Sequence, residues 1–157
     1  MKMTKYLMTS LFAVALGTSS AFTLADVDAE DFVEEASAKN ISEIEAGKLA
    51  LDKSTFPAVK TFAQKMINEH SANNTELRSL ATRKKVTLSD DAELTSKAKA
   101  AILKQRDGES FDVAYANNQV AAHKSAIEFY KEAAKSTDAD VRTFAVAARP
   151  KLQHHLQ

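Results

Sequence analysis

The stretch KSTFPAVKTFA at Lys53–Ala63 returns 82 residues later as KSTDADVRTFA at Lys135–Ala145. Lys, Ser, Thr, Val, Thr, Phe and Ala are identical between the copies, and Lys60 is replaced by Arg142. Each copy joins the end of one long helical pattern to the start of another. The chain therefore reads as two helical hairpins with a connecting segment between them. Only three Gly and two Pro occur in 157 residues, so an all-α fold is expected.

The N-terminus reads as a secretory signal peptide over residues 1–25. Lys2 and Lys5 precede a short apolar run, Leu7–Leu16, and small residues follow, with cleavage expected after Ala25 or, alternatively, after Ala21. A run of ~10 apolar residues is too short to span a bilayer, which takes ~20. No cysteine follows it, which excludes a lipid anchor, and the whole chain has none. Export would permit disulfides, yet packing alone must hold this fold. Removing the leader leaves 132 residues (157 − 25), a single helical-bundle domain over 26–157. Without Lys2 and Lys5, 19 basic residues face 21 acidic ones. That balance, with no basic patch carrying interleaved aromatics, argues against nucleic acid as a partner. The expected location is periplasmic or secreted, the protein is not integral to a membrane, and any partner is another envelope protein.

Helix 1 should run from about Asp28 to Lys53. Acidic residues from Asp26 to Glu35 crowd its start, where they complement the helix dipole better than they would trap a metal. Helix 2 should run from about Phe56 to Lys85, capped by Thr55, with Pro57 in its first turn. Its apolar stripe is Val59, Phe62, Met66, Leu77 and Leu80, with His70 and Asn73 in the gap. A shorter helix 3, about Asp90–Arg106, follows Ser89 and presents Leu94, Ala98, Ala101 and Ile102. Helix 4, about Glu109–Lys135, carries one stripe through Phe111, Tyr115, Ala122 and Phe129. A second stripe through Val120, His123, Ile127 and Tyr130 implies burial over a wide arc. Helix 5 begins after Thr137, with Thr137 and Asp140 as a capping-box variant. It continues through Val141, Phe144 and Val146, and Pro150 should bend it.

Four helices of ~27 residues, each about 40 Å long, make a four-helix bundle of two antiparallel hairpins, with helix 3 in the crossover. A long crossover puts the two hairpin turns at opposite ends. Measured from those turns, Glu43, His70, His123 and His155 all lie about 18–27 Å along their helices. They share a level near mid-bundle, one on each long helix. Glu45 is an alternative to Glu43, and periodicity does not choose between them; His154 reads as the solvent-facing neighbour of His155.

A buried carboxylate needs a partner or a metal. Three imidazoles and one carboxylate form a ligand set suited to a divalent transition metal, Zn, Cu or Fe. Met66 and Glu69 are possible additional ligands. Asn73, Asn74 and Gln119 are placed to orient the rings. The competing reading is a hydrogen-bonded polar layer that fixes the register of the bundle.

Taken together, Asp31-Phe32-Val33, Glu43-Ile44 with Gly47-Lys48-Leu49-Ala50, Glu69-His70 and Asn74 are familiar. So are Gly108, Phe111-Asp112, Tyr115 and His123, and Pro150, Leu152 and His155-Leu156. The set resembles a bacterial family of exported proteins defined only as a domain of unknown function (number four-one-four-two) and often labelled "predicted outer membrane protein". The resemblance covers nearly all of residues 31–157 and implies a ferritin-like bundle. It favours Glu43 over Glu45 and His155 over His154. A helical chain cannot form an outer-membrane barrel, so the label finds no support. Relatives commonly carry the last helix further, so fraying is expected after His155.

Ferritin-like di-iron sites use a Glu-x-x-His pair on each of two helices. The residues three before His70, His123, His154 and His155 are Ile67, Val120, Lys151 and Leu152. No such pair exists, and no serine, cysteine or glycine-rich catalytic pattern appears. Enzymatic activity is the weakest expectation. A metal-binding bundle, or a non-catalytic envelope stress or interaction module, fits better.

Overall fold

The computed structural model describes residues 27–88 and 94–157. The segment read as a signal peptide, the expected start of helix 3, and the side chains of Leu94 and Ala98 lie outside the described residues. Five helices follow in order: α1 (Ala29–Lys53), α2 (Pro57–Lys84), α3 (Leu94–Lys104), α4 (Gly108–Ala133) and α5 (Ala139–His154). Among the described residues there is no strand, so the all-α helical bundle is the fold found.

Residue chemistry sets the helix ends. Asp28 caps α1 by accepting the Glu30 N–H at 2.7 Å, with Glu30 and Asp31 at the positive end of the dipole. Neither repeat threonine is the cap. Phe56 holds that position in α2 without a side-chain bond, and Asp138 holds it in α5, accepting the Asp140 and Val141 N–H groups at 2.9 and 3.3 Å. The serines organise the turns instead. Ser54 Oγ accepts the Phe56 N–H at 3.1 Å and Ser136 Oγ the Asp138 N–H at 3.1 Å, and both serines are 2% exposed. Facing inward, each satisfies a partly buried backbone donor of its turn, while Thr55 and Thr137 lie on the outside. At its far end α2 stops on Lys85, in the left-handed region at φ 59°.

Contacts along the helices give their directions. On α1 and α2, Ser37 meets Asn74, Asn40 meets Asn73, and Gly47 approaches Ala63, so the pair is antiparallel. A Cβ on Gly47 would lie 2.8 Å from Ile67 Cγ1 and 3.1 Å from the Ala63 carbonyl oxygen, so this close approach requires glycine. Tyr130 stacks with Phe144 while His123 meets His155, which makes α4 and α5 antiparallel. Phe32 meets Phe129, and Glu43 meets Gln119, which sets α1 against α4 in the same sense. Lys84 pairs with Asp138 at 2.7 Å and Lys151 with Glu76 at 3.6 Å, closing α2 against α5.

The two turns lie at opposite ends. Lys53, beside the first, pairs with Asp107 ahead of α4 at 2.8 Å. Ser136, in the second, donates to the Val27 carbonyl ahead of α1 at 3.1 Å. The end of α2 and the start of α4 therefore lie at opposite ends of the bundle.

The core falls into two apolar clusters. In one, fully buried Phe32 stacks on Phe129 at 5.5 Å and meets Tyr130 and Phe144 edge-on at 5.7 and 5.8 Å. In the other, Phe111 stacks on Tyr115 at 6.0 Å over Ala46, Ala50 and Ala63. A fully buried phenylalanine of this kind contributes roughly 1.5–3 kcal/mol. Between the clusters, beside fully buried Met66, the buried residues are polar: Ser37, Asn40, Glu43, His70, Gln119, His123 and His155.

Three expected apolar faces differ from the fold. Ile102 is 58% exposed, and among the described side chains of α3 it is Leu103, 5% exposed, that packs inward. Val120 is 43% exposed while Gln119 is buried, so α4 buries one narrow stripe through Phe111, Tyr115, Gln119, His123, Ala126 and Tyr130. Val146 is 52% exposed. A bundle helix buries one stripe, and its flanking apolar residues stay outside. Helix α5 continues through Pro150 to His154.

Candidate metal centre

Each helix of the bundle brings one group to the polar layer: Glu43 from α1, His70 from α2, His123 from α4, and His155 from the last turn capping α5. The histidines converge. One nitrogen of each ring lies within 4.8 Å of one nitrogen of both others, and the ring centroids are 5.0–5.5 Å apart.

The outward nitrogens explain the ring orientations. His70 Nδ1 lies 2.9 Å from Asn40 Oδ1, and Asn40 is itself oriented by donating Nδ2 to Asn73 Oδ1 at 2.9 Å. Tyr130 donates its hydroxyl to the same Asn73 oxygen at 3.3 Å. His123 Nδ1 lies 2.9 Å from the Gln119 carbonyl oxygen one turn back. His155 Nε2 lies 2.6 Å from Glu69 Oε2. An amide oxygen, a backbone carbonyl and a carboxylate accept, so each outward ring nitrogen is assigned the proton. The inward nitrogens then hold lone pairs. His70 Nε2 is buried without a hydrogen-bond partner, and His123 Nε2 faces His155 Nδ1 at 3.0 Å. Lone pairs brought together this way require a proton or a cation between them.

Burial keeps two of the rings, His70 and His123, neutral. It pushes His70 down to about 3, helped by the neighbouring His123 and His155, and His123 down to about 4, with the Gln119 carbonyl opposing and His155 adding to the fall. Neutral imidazole is the form that ligates metals. Burial also pushes Glu43 up to about 7, against the hydrogen bond from Gln119 and the charge of Lys99. Burial alone would raise Glu69, but the bond from His155 and the positive charges around it bring its carboxyl below the ordinary value.

Glu43 is 7% exposed and accepts from Gln119 Nε2 at 2.6 Å, whereas Glu45 is exposed. Glu43 borders the layer without joining the mutually close set. His155 faces inward and His154 is exposed, 3.3 Å from Gln157 Oε1. Glu69 stands behind His155, and Met66 is fully buried one turn before His70. Asn40 is a member of this site that the apolar periodicity of α1 does not mark. The available signal was a polar residue on the α1 stripe that continues Phe32, Val33 and Ala36. Beside the layer, Tyr115 Oη and Gln119 Oε1 are buried without partners, and burial, then the Glu43 charge, raises the Tyr115 hydroxyl.

A bundle with three convergent, outwardly bonded histidines can hold a metal ion. Residues 14–157 match a family described as a domain of unknown function, DUF4142, and the chain belongs to that family. No curated protein matches it. Among solved structures, the crystal structure of a candidate secreted protein, DUF305, from Streptomyces coelicolor is similar. It has a TM-score of 0.64 and 13% identity, over 82% of this chain and 90% of that one. At that identity the likeness is one of fold. No helix among the described residues is long and apolar enough to cross a membrane.

Proposed function

We propose that this chain is an exported, periplasmic or secreted bundle that binds one divalent transition metal through His70, His123 and His155, with Glu43 beside the ion. The leader over residues 1–25 supports export. The observation that carries the metal reading is the three-way convergence of ring nitrogens within 4.8 Å, with every opposite ring nitrogen committed to an acceptor. Such bonds set tautomer and orientation in metal sites. Imidazole suits Zn, Cu(II) and Fe. A bound ion would supply Lewis acidity, or redox chemistry in the case of Cu or Fe; the chain's own residues supply neutral donors, orientation and a desolvated setting.

One observation favours a second reading. His123 Nε2 and His155 Nδ1 stand at hydrogen-bond distance, 3.0 Å, so a single shared proton satisfies both. The layer then serves as a register device in a non-catalytic envelope module.

Metal analysis of protein purified from its native compartment, followed by titration of wild type and the His70→Ala/His123→Ala double variant, separates the two. The metal reading expects stoichiometric metal in wild type and none in the variant. Equal, weak binding by both would leave the register reading.

A further inference from the structure

We propose that a metal held by His70, His123 and His155 keeps one coordination position open toward the α1–α4 face, and that a small exogenous anion takes it. This rests on the metal-binding reading above.

Three cavities reach the polar layer, and they differ in kind. On the α2–α5 side the space beside Glu69, Asn73 and His155 is only about 10 Å³, at most a single water. A cleft of about 310 Å³ touches His155 from the side of Val59, Phe62, Val120 and Leu156. Its walls are mostly apolar, and both nitrogens of His155 are already committed, one to Glu69 and one toward His123. The third opens between α1 and α4. It measures about 70 Å³ and is lined by His70, His123 and Glu43, with Lys39, Lys99 and Ser125 around it. That volume holds several water-sized positions, enough for a three-atom anion.

Charge selects the occupant. Three neutral imidazoles and a divalent ion place two positive charges in a desolvated layer. Glu43 offsets at most one of them, while Glu69 stands outside the layer behind His155, 37% exposed and shared with Lys65 at 3.9 Å. Uncompensated buried charge is expensive, and a monoanion on the metal would bring the layer to neutrality. The mouth has the matching sign. Lys99 of α3 lies within electrostatic reach of Glu43, and Lys39 lines the same opening while pairing with Glu35 at 3.1 Å. Cations placed around a cleft raise the local concentration of anions. Three histidines also leave a tetrahedral ion one ligand short, the arrangement of metal sites that exchange an outside ligand.

The test loads the purified protein with Co(II), whose visible bands report ligand exchange, and titrates sodium azide. Ala122 lines the same pocket and is half-buried, so Ala122→Leu should fill it. Val120→Phe narrows the apolar cleft instead. The expected result is a saturable azide-dependent shift in wild type and in Val120→Phe, and none in Ala122→Leu, which still takes up Co(II). Co(II) bound in wild type but indifferent to azide would overturn the open position and leave the metal reading standing. A response that survives Ala122→Leu, or that Val120→Phe alone removes, would overturn the assigned pocket. Should Ala122→Leu lose Co(II), the exposed rim variant Ser125→Tyr decides: azide binding must weaken there, and an unchanged response counts against the pocket. Failure of wild type to bind Co(II) at all refutes the metal reading itself.

Discussion

The two hairpin turns and the mid-bundle layer are related by the same 82-residue offset, yet they obey it in opposite ways. In the turns, Ser54 and Ser136 are equally buried and accept equivalent N–H groups at the same 3.1 Å. In the layer, His70 corresponds to Leu152, His123 to Ile41, His155 to Asn73 and Glu43 to Ser125. The turns repeat because the backbone demands it: two similar hairpins need two similar stops. The layer makes no such demand, and apolar residues would fill it at lower cost. Leu152 does so, buried in the neighbouring cluster. A layer that keeps seven buried polar side chains between two apolar clusters is held for chemistry or for register.

The largest expected effect is on acid stability. His70 and His123 are held down to about 3 and 4 in the folded chain, against an ordinary 6.5. Below pH 6.5 the unfolded chain takes up protons that the folded chain refuses, so the stability these rings provide is complete above 6.5 and is lost toward their folded values. Glu43, raised from 4.5 to about 7, works the other way: between those values the folded chain holds the extra proton, and stability falls as pH rises. Two rings against one carboxyl leave a net loss of about 1.4 kcal/mol per pH unit between 6.5 and 4.5. Urea unfolding in the presence of chelator at several pH values measures it. A flat profile would mean that the rings are not buried neutral.

Glu43→Gln sharpens that result. Without the opposing carboxyl, the acid loss should steepen to about 2.8 kcal/mol per pH unit. At pH 8, where wild type must bury a charge, the metal-free variant should be more stable by an amount of order 3 kcal/mol. Denaturant midpoints of metal-free protein at pH 8 and pH 4.5 check both. A variant equally destabilised at the two values would make Glu43 a packing residue only.

The turns were legible in the sequence because a repeat is local and its spacing survives folding. The shared level of Glu43, His70, His123 and His155 was legible too, since distance along a helix follows from residue count. What surrounds each ring was not. The bond from His155 to Glu69 joins α5 to α2 across 86 positions, and no periodicity contains it. Choosing Glu43 over Glu45 likewise depended on where Gln119 of α4 would stand. The same layer inverts the pattern on α4: apolarity places Val120 inward, but the buried position belongs to Gln119, which a hydrophobic pattern marks as surface. Asn40 was missed for the same reason. Polar layers invert the signal on which burial is read.

Glu69→Gln separates chemistry from register. The amide oxygen can still accept from His155 Nε2 at the 2.6 Å position, so the fold should change little. Losing the charge behind a ligating imidazole typically weakens metal binding about 10–100-fold. Isothermal titration of wild type and variant with Zn(II) reads the difference, and a stability loss without any change in affinity would favour the register role.

The smallest effects belong to the turns, and there the expectation is equality. Ser54→Ala and Ser136→Ala each remove one acceptor from a partly buried backbone N–H, at a cost of about 1 kcal/mol. The sites lie at opposite ends of the bundle, so the double variant should show the sum of the two losses within about 0.5 kcal/mol. The one basic substitution in the repeat sets a limit on that symmetry. Arg142 donates one nitrogen, Nη1, to both the Ser136 and Thr137 carbonyls at 2.6 and 3.3 Å, and lysine's flexible stem does not fix its ammonium as the planar guanidinium fixes Nη1. Arg142→Lys should therefore cost the second turn about 0.5–1.5 kcal/mol, while Lys60→Arg, on the exposed start of α2, should stay within about ±0.5 kcal/mol. Thermal unfolding of the four single variants and the double serine variant measures all of these. Unequal serine losses with an inert Arg142→Lys would show that the two turns are alike in sequence and geometry but not in energy.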